Sequence, residues 1–125
     1  MTGRESLAKI KDQSARSNID EIASAFVSSV NPRTIILFGS FAEGTYNDDS
    51  DYDFYLVLDD GVPLHETCRK AYMAICDLKN RPVDIVVGHE SYFEEKRANP
   101  RNLLIEGEVQ NKGILLYDRR GGLPS

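Results

Sequence analysis

Three short runs of β-branched and aromatic residues limit what this chain can fold into more than any other feature. They are Thr34–Phe38, Tyr52–Leu58 and Pro82–Val87, and turn residues follow the first two, Gly39-Ser40 and Asp59-Asp60-Gly61. Runs of this length and composition read as strands, and proline is tolerated at the first position of the third. Around them lie stretches with helical spacing. Ile19, Ile22, Ala23, Phe26, Val27 and Val30 form one apolar stripe, which Asn31-Pro32 ends. A second amphipathic helix starts near Pro63 and turns Leu64, Cys68, Ala71, Tyr72, Ile75 and Leu78 inward. Glu90 to Arg97 reads as a helix ending before Asn99-Pro100, and Leu103 to Gln110 as another, closed by Asn111-Lys112-Gly113. Ile114–Tyr117 adds a short strand. Met1 to about Asn18 is a polar lead-in, frayed or helical, and Arg119 to Ser125 a loose tail. The order helix, strand, strand, helix, strand, helix, helix predicts a small α/β (α+β) domain with a mixed sheet flanked by helices. At 125 residues the chain suits a single domain, residues 1–125, with its core at about 19–117.

Several function classes drop out. The longest apolar runs, such as Ile35–Phe38, are far short of the about 20 residues a membrane helix needs. No charged-then-apolar leader opens the sequence, and two cysteines are too few for a stapled scaffold, so a cytoplasmic location is expected. Fifteen Lys and Arg against twenty Asp and Glu give a net charge of −5, without the basic block of a duplex nucleic-acid binder. An acidic chain can still take a phosphorylated ligand if a divalent cation reverses the local field.

Three features carry chemistry. The first strand ends in Gly39-Ser40, where glycine lets the backbone approach a ligand and serine offers N–H and hydroxyl to phosphate oxygens; a plain strand-ending turn would look the same. Asp51 and Asp53 open the second strand two residues apart, so both carboxylates share a face. Such a pair repels itself unless a hard cation lies between, although Asn47-Asp48-Asp49-Ser50 just before it is also consistent with a solvated acidic loop. Asp84 sits within the apolar run Val83–Val87 and needs a shared metal, an arginine partner or an exposed position. A calcium loop starting at Asp49 is rejected, because Phe54 stands where the turn glycine belongs and Asp60 where the bidentate glutamate belongs.

Ile36-Leu37-Phe38-Gly39-Ser40, ten residues, then Asp51-Tyr52-Asp53 resembles the signature of the DNA polymerase β-like nucleotidyltransferases, in the spacing of their smallest branch, the minimal nucleotidyltransferases. Val83-Asp84-Ile85-Val86 is similar to the strand carrying their third carboxylate. Ile105-Glu106-Gly107 through Gly113–Tyr117 is similar to their usual close. The resemblance spans roughly 34–117. It implies the polymerase β-like fold and a Mg²⁺-dependent transfer of a nucleoside monophosphate to a hydroxyl. By this resemblance Asp51, Asp53 and Asp84 are the catalytic and metal-binding residues, for two Mg²⁺ ions, and Gly39, Ser40 and Ser50 bind the nucleotide. The family's commonest context is a pair with a HEPN-domain RNase toxin, to whose tyrosine the antitoxin transfers AMP from ATP. The resemblance thus implies a protein adenylyltransferase acting as an antitoxin. A transferase of small molecules with a helper chain and a non-catalytic binding module are the alternatives. The chain departs from many members in having Phe41-Ala42-Glu43 after Gly-Ser, where arginines are common.

The other conspicuous residues have structural readings. Cys68 and Cys76 are too far apart along one helix to bridge and read as core thiols. His65 and His89 lack zinc-ligand neighbours. Tyr92 and Phe93 read as helix packing, Glu94–Arg97 as a solvated helix face, and Arg119 and Arg120 as solvated tail residues.

Overall fold

Side chains alternate across a strand, so a strand buried on both faces needs cover on both sides. Ile35 and Leu37 of β1 (Thr34–Phe38) face one way and Ile36 and Phe38 the other, and all four are buried. The computed structural model describes residues 10–98 and 104–120. In it β1 is central to a four-stranded sheet of order β3-β2-β1-β4, with β2 Tyr52–Leu58, β3 Val83–His89 and β4 Ile114–Asp118. β1 runs antiparallel to β2 and β4, whereas β2 and β3 are parallel. The parallel pair needs a crossover, which α3 (Leu64–Ile75) supplies. The mixed sheet flanked by helices is therefore as the sequence predicts.

One face carries Ile35, Leu37, Phe54, Leu56 and Ile85 and is packed by α1 (Gln13–Val30) and α3 through Ile19, Ile22, Phe26, Ala71 and Ile75. The other holds Ile36, Phe38, Tyr55 and Val57 under Phe93 of α4 (Glu90–Arg97) and Val109 of α5 (Ile105–Lys112). This second face has the smaller core, and on it β2 and β3 start with Asp53 and Asp84.

Most boundaries agree with the sequence reading to within two residues. The exceptions are α3, which stops at Ile75 rather than reaching Leu78 and leaves Tyr72 exposed, and α1, whose first turns lie in the expected lead-in. Asp12 caps it, accepting from the Ala15 N–H at 3.1 Å, and Ile10, Ala15 and Asn18 are buried. Asn18 looks polar in the sequence but works inside: its amide donates to Leu78 O at 2.8 Å and accepts from the Asn80 N–H at 2.8 Å. A one-turn helix, α2 (Ser40–Glu43), follows Gly39 where a loop is expected. Met1 and residues 2–9 of the lead-in, Asn99-Pro100, Leu103 and Gly121–Ser125 of the tail lie outside the described residues.

Other expectations are corrected. Cys76 is exposed at the end of α3, since the helix stops at Ile75 and turns the thiol outward; Cys68 is half-buried, and burial raises its thiol pKa. Arg119 is not a solvated tail residue. It donates to both Asp59 carboxylate oxygens at 3.1 and 3.0 Å, and Asp59 also accepts from Arg33, which fastens the end of β4 to the end of β2. Arg120 pairs with Asp118.

β3 is an edge strand. The outward N–H of Ile85 donates to the Tyr72 hydroxyl at 2.9 Å, and its carbonyl lies 3.9 Å from the Cys68 sulfur. Both groups come from α3. Among the described residues no helix is long and apolar enough to cross a membrane.

Candidate active site

Gly39 ends β1 with φ +75° and ψ −157°, a conformation that only glycine adopts readily. Its bare Cα lies against the Asp53 carboxylate, and a Cβ there would overlap Oδ2. The strand register sets the rest. Phe38 pairs with Asp53 across β1 and β2, and Asp53 pairs with Asp84 across β2 and β3. The chain turn at Gly39-Ser40, Asp53 and Asp84 thus lie in sequence across one end of the sheet. Asp51 stands just before β2, and a Tyr52 N–H to Pro82 O bond of 3.0 Å joins the starts of the two strands beside it.

The sequence reading brings Asp84 into question as a buried charge. Of the sequence alternatives, the structure shows an exposed position: Val83 and Ile85 are buried on one face while Asp84 is exposed on the other, so strand alternation delivers its carboxylate to the open side. Asp53 is different. Loss of water around its carboxyl, then repulsion from Asp84, Asp51 and Glu108, pushes its pKa up from an ordinary 3.8 to about 6. Glu108, on α5, is a further carboxylate near Asp53 that no spacing rule in the sequence reveals.

The site therefore concentrates negative charge around one half-buried carboxylate. Among the described residues no three His, Cys, Asp or Glu side chains converge on a single point as placed. The donor set nevertheless fits a hard divalent cation. It is all carboxylate oxygen, and a cation would relieve the repulsion that raises Asp53.

Ser40 begins α2, and its carbonyl accepts from the Thr45 N–H at 3.0 Å. Ser50 lies at the other end of the intervening loop. Its hydroxyl accepts from the Asn47 N–H at 2.9 Å, and its own N–H donates to Asn47 O at 3.1 Å, so it holds the loop closed before Asp51. His89 is at the far end of β3 with Nε2 2.7 Å from Val62 O, and His65 is exposed on α3; neither joins the aspartates.

A second residue the sequence does not disclose is Arg81, three positions before Asp84. Its Nη1 donates to the carbonyls of Asn47 at 3.2 Å and Ser50 at 2.9 Å. The guanidinium lies 4.8 Å from the Phe41 ring centroid and 5.5 Å from that of Tyr52. One side chain thus links α2, the loop before Asp51, and the start of β3. Where arginines are common after Gly-Ser, cations arrive from elsewhere: Arg81 on Phe41, and Lys112 of α5 on Glu43 at 3.5 Å. Removing the charged donor breaks both carbonyl bonds. Arg81→Met should lower stability by about 2 kcal/mol in urea unfolding and speed amide hydrogen exchange at residues 47–51. Unchanged exchange there would refute this tethering role.

The family model described as "Polymerase beta, Nucleotidyltransferase" matches residues 20–121. The chain is similar to the crystal structure of a candidate nucleotidyltransferase from Sulfolobus solfataricus, with 22% identity, TM-score 0.51, and 95% of this chain and 89% of that one covered. It is also similar to a crystal structure of a toxin-antitoxin with AMP-PNP, with 20% identity, TM-score 0.50, and coverage of 82% and 75%. No curated protein shows significant similarity to it.

Proposed function

This chain belongs to the Polymerase beta nucleotidyltransferase family, and on that premise we propose that it transfers AMP from ATP to a hydroxyl, a tyrosine of a partner HEPN-domain toxin, as that toxin's antitoxin. The observation that carries the reading is the contact between Gly39 and Asp53 with Asp84 in register on the other side. A phosphate-approaching backbone, a central carboxylate and an exposed carboxylate suit in-line phosphoryl transfer, which depends on positioning and charge stabilisation. The similarity to a toxin-antitoxin structure supports a protein acceptor.

Asp51 and Asp53 would hold Mg²⁺, with Asp84 completing the set. When bound, the metal neutralises charge on the phosphate oxygens and on the oxygens being joined and released. Gly39 and Ser40 bind the β- and γ-phosphates through backbone N–H and hydroxyl, and Ser50 keeps the preceding loop closed on the nucleotide side. The acceptor oxygen attacks the α-phosphorus, and the bond to the β-phosphate oxygen breaks, pyrophosphate leaving with the electron pair. Asp84, exposed and furthest from Gly39, orients the acceptor hydroxyl and takes its proton. The rate gain comes from positioning and charge neutralisation rather than from a covalent intermediate.

Thermal unfolding with each of the four nucleoside triphosphates, with and without Mg²⁺, tests this. ATP with Mg²⁺ at 100 times its dissociation constant should add about 2.7 kcal/mol, a rise in midpoint of roughly 10 °C for a domain of this size. The shift should be absent in Asp53→Asn. A protein indifferent to every triphosphate would instead be a binding module.

A further inference from the structure

On the acceptor side of the sheet lies a cavity with no part in the chemistry above. β3 is the strand furthest from Gly39, and beyond Asp84 the same face continues through Val86 to Gly88. There a cavity of about 350 Å³ opens, lined among the described residues by Leu64, Val87, Gly88, His89, Tyr92 and Glu106. Glu106 is only 5% exposed, and the buried Tyr55 hydroxyl donates to its Oε2 at 2.7 Å. Gly88 makes this arrangement possible, since a Cβ there would overlap the Tyr55 hydroxyl. Burial and Glu106 hold the Tyr55 phenol protonated, so it acts as donor and fixes the carboxylate in place. Tyr92 stands at the cavity with 43% of its surface exposed, which helix packing does not require.

The chemistry of these walls selects an occupant. Leu64 and Val87 suit a methylene stem and a fixed carboxylate takes a cationic donor, while Lys96 already lies over the Tyr92 ring, 5.5 Å from its centroid. Hydrophobic side chains would leave Glu106 facing apolar surface, and acidic ones would repel it. The net charge of −5 also favours a basic partner surface.

We infer that this cavity receives an arginine or lysine side chain of the polypeptide that carries the acceptor hydroxyl, with its charged head on Glu106 and its stem on Leu64 and Val87. The inference rests on the proposed transfer to a protein. Gly88 is four residues along β3 from Asp84, about 13 Å at the rise of a strand. An extended acceptor segment lying along β3 spans that distance in about four residues. The basic side chain therefore sits about four positions from the modified residue. It supplies specificity for the partner without touching the reacting atoms.

The test needs no nucleotide, so it is independent of whether transfer occurs. Nα-acetyl-arginine N-methylamide is titrated into the ¹⁵N-labelled protein, alongside its neutral citrulline counterpart. The arginine probe should give saturable shifts at the Gly88, His89 and Tyr92 amides, at least about tenfold stronger in affinity than citrulline. Glu106→Gln, which still accepts from Tyr55, should abolish the difference between the two probes, and Leu64→Trp should block both. Asp53→Asn should bind the arginine probe as the parent does. Equal binding of the two probes, no localised shifts, or unchanged binding in Glu106→Gln would overturn the inference. Failure of the triphosphate shift with intact arginine binding would instead overturn the transferase reading.

Discussion

Asp53→Asn should reduce nucleotide transfer by roughly three orders of magnitude or more while leaving the fold intact. Asp53 is the carboxylate that Gly39 touches and that Asp51, Asp84 and Glu108 surround, so its amide form would remove the centre of the charged set. The same substitution has a second, opposite-signed consequence. With a folded pKa of about 6 against 3.8 ordinarily, the folded protein holds more protons than the unfolded chain between those values. Stability without metal therefore falls as pH rises through that window, and the deficit is complete above it. The amide that replaces the carboxyl does not ionise. In chelator at pH 7.5 the variant should be the more stable protein, by about 1 kcal/mol once solvent screening of a half-exposed carboxylate is allowed for. The advantage should vanish near pH 4. A more stable but inactive variant is the signature of a functional carboxylate; full activity, or lower stability at neutral pH, would contradict the assignment.

Gly39→Ala should be nearly as damaging, by a different route. The position combines φ +75° with contact against Asp53, so a methyl group brings both backbone strain and collision. The expected loss is about 2 kcal/mol or more of stability from the strain alone. Transfer should drop by about 10²-fold, because the turn and the carboxylate are forced apart by a distance that matters in phosphoryl transfer. Gly44→Ala is the control. Gly44 also has positive φ, +80°, but a Cβ there meets nothing within 4 Å. It should cost about 1 kcal/mol and leave the turnover unchanged. If both variants lose activity equally, the effect belongs to α2 as a whole and not to the contact with Asp53.

The strands and the Gly-Ser and Asp-x-Asp pattern are legible in the sequence because their signals are local. A run such as Thr34–Phe38 declares itself by composition, and Asp51-Tyr52-Asp53 by its spacing from Gly39-Ser40. What escapes is what long-range packing decides. Arg81 reads as a loop residue, and its links to Phe41, Asn47, Ser50 and Tyr52 span up to forty positions. Glu106 and Glu108 look alike in the sequence, yet one is buried beneath a cavity and the other is exposed beside Asp53. Asn18 is hidden for the same reason: nothing near it in the chain announces the carbonyl of Leu78. The aspartate strand also misleads when read as a continuous apolar run, since only the coverage of each face tells which residues are buried.

An edge strand ordinarily invites another strand to pair with it, by aggregation or by a partner extending the sheet. Here the outward N–H of Ile85 is already donated to Tyr72, and the Cys68 thiol lies against its carbonyl. The sheet is sealed one residue from Asp84. Strand addition at that edge would have to displace side chains of α3, so under the proposed transfer a polypeptide acceptor would reach the aspartates over the open face of the sheet. Recognition by main-chain ladder, which tolerates many sequences, is thereby closed off beside the site, and selectivity is left to side chains.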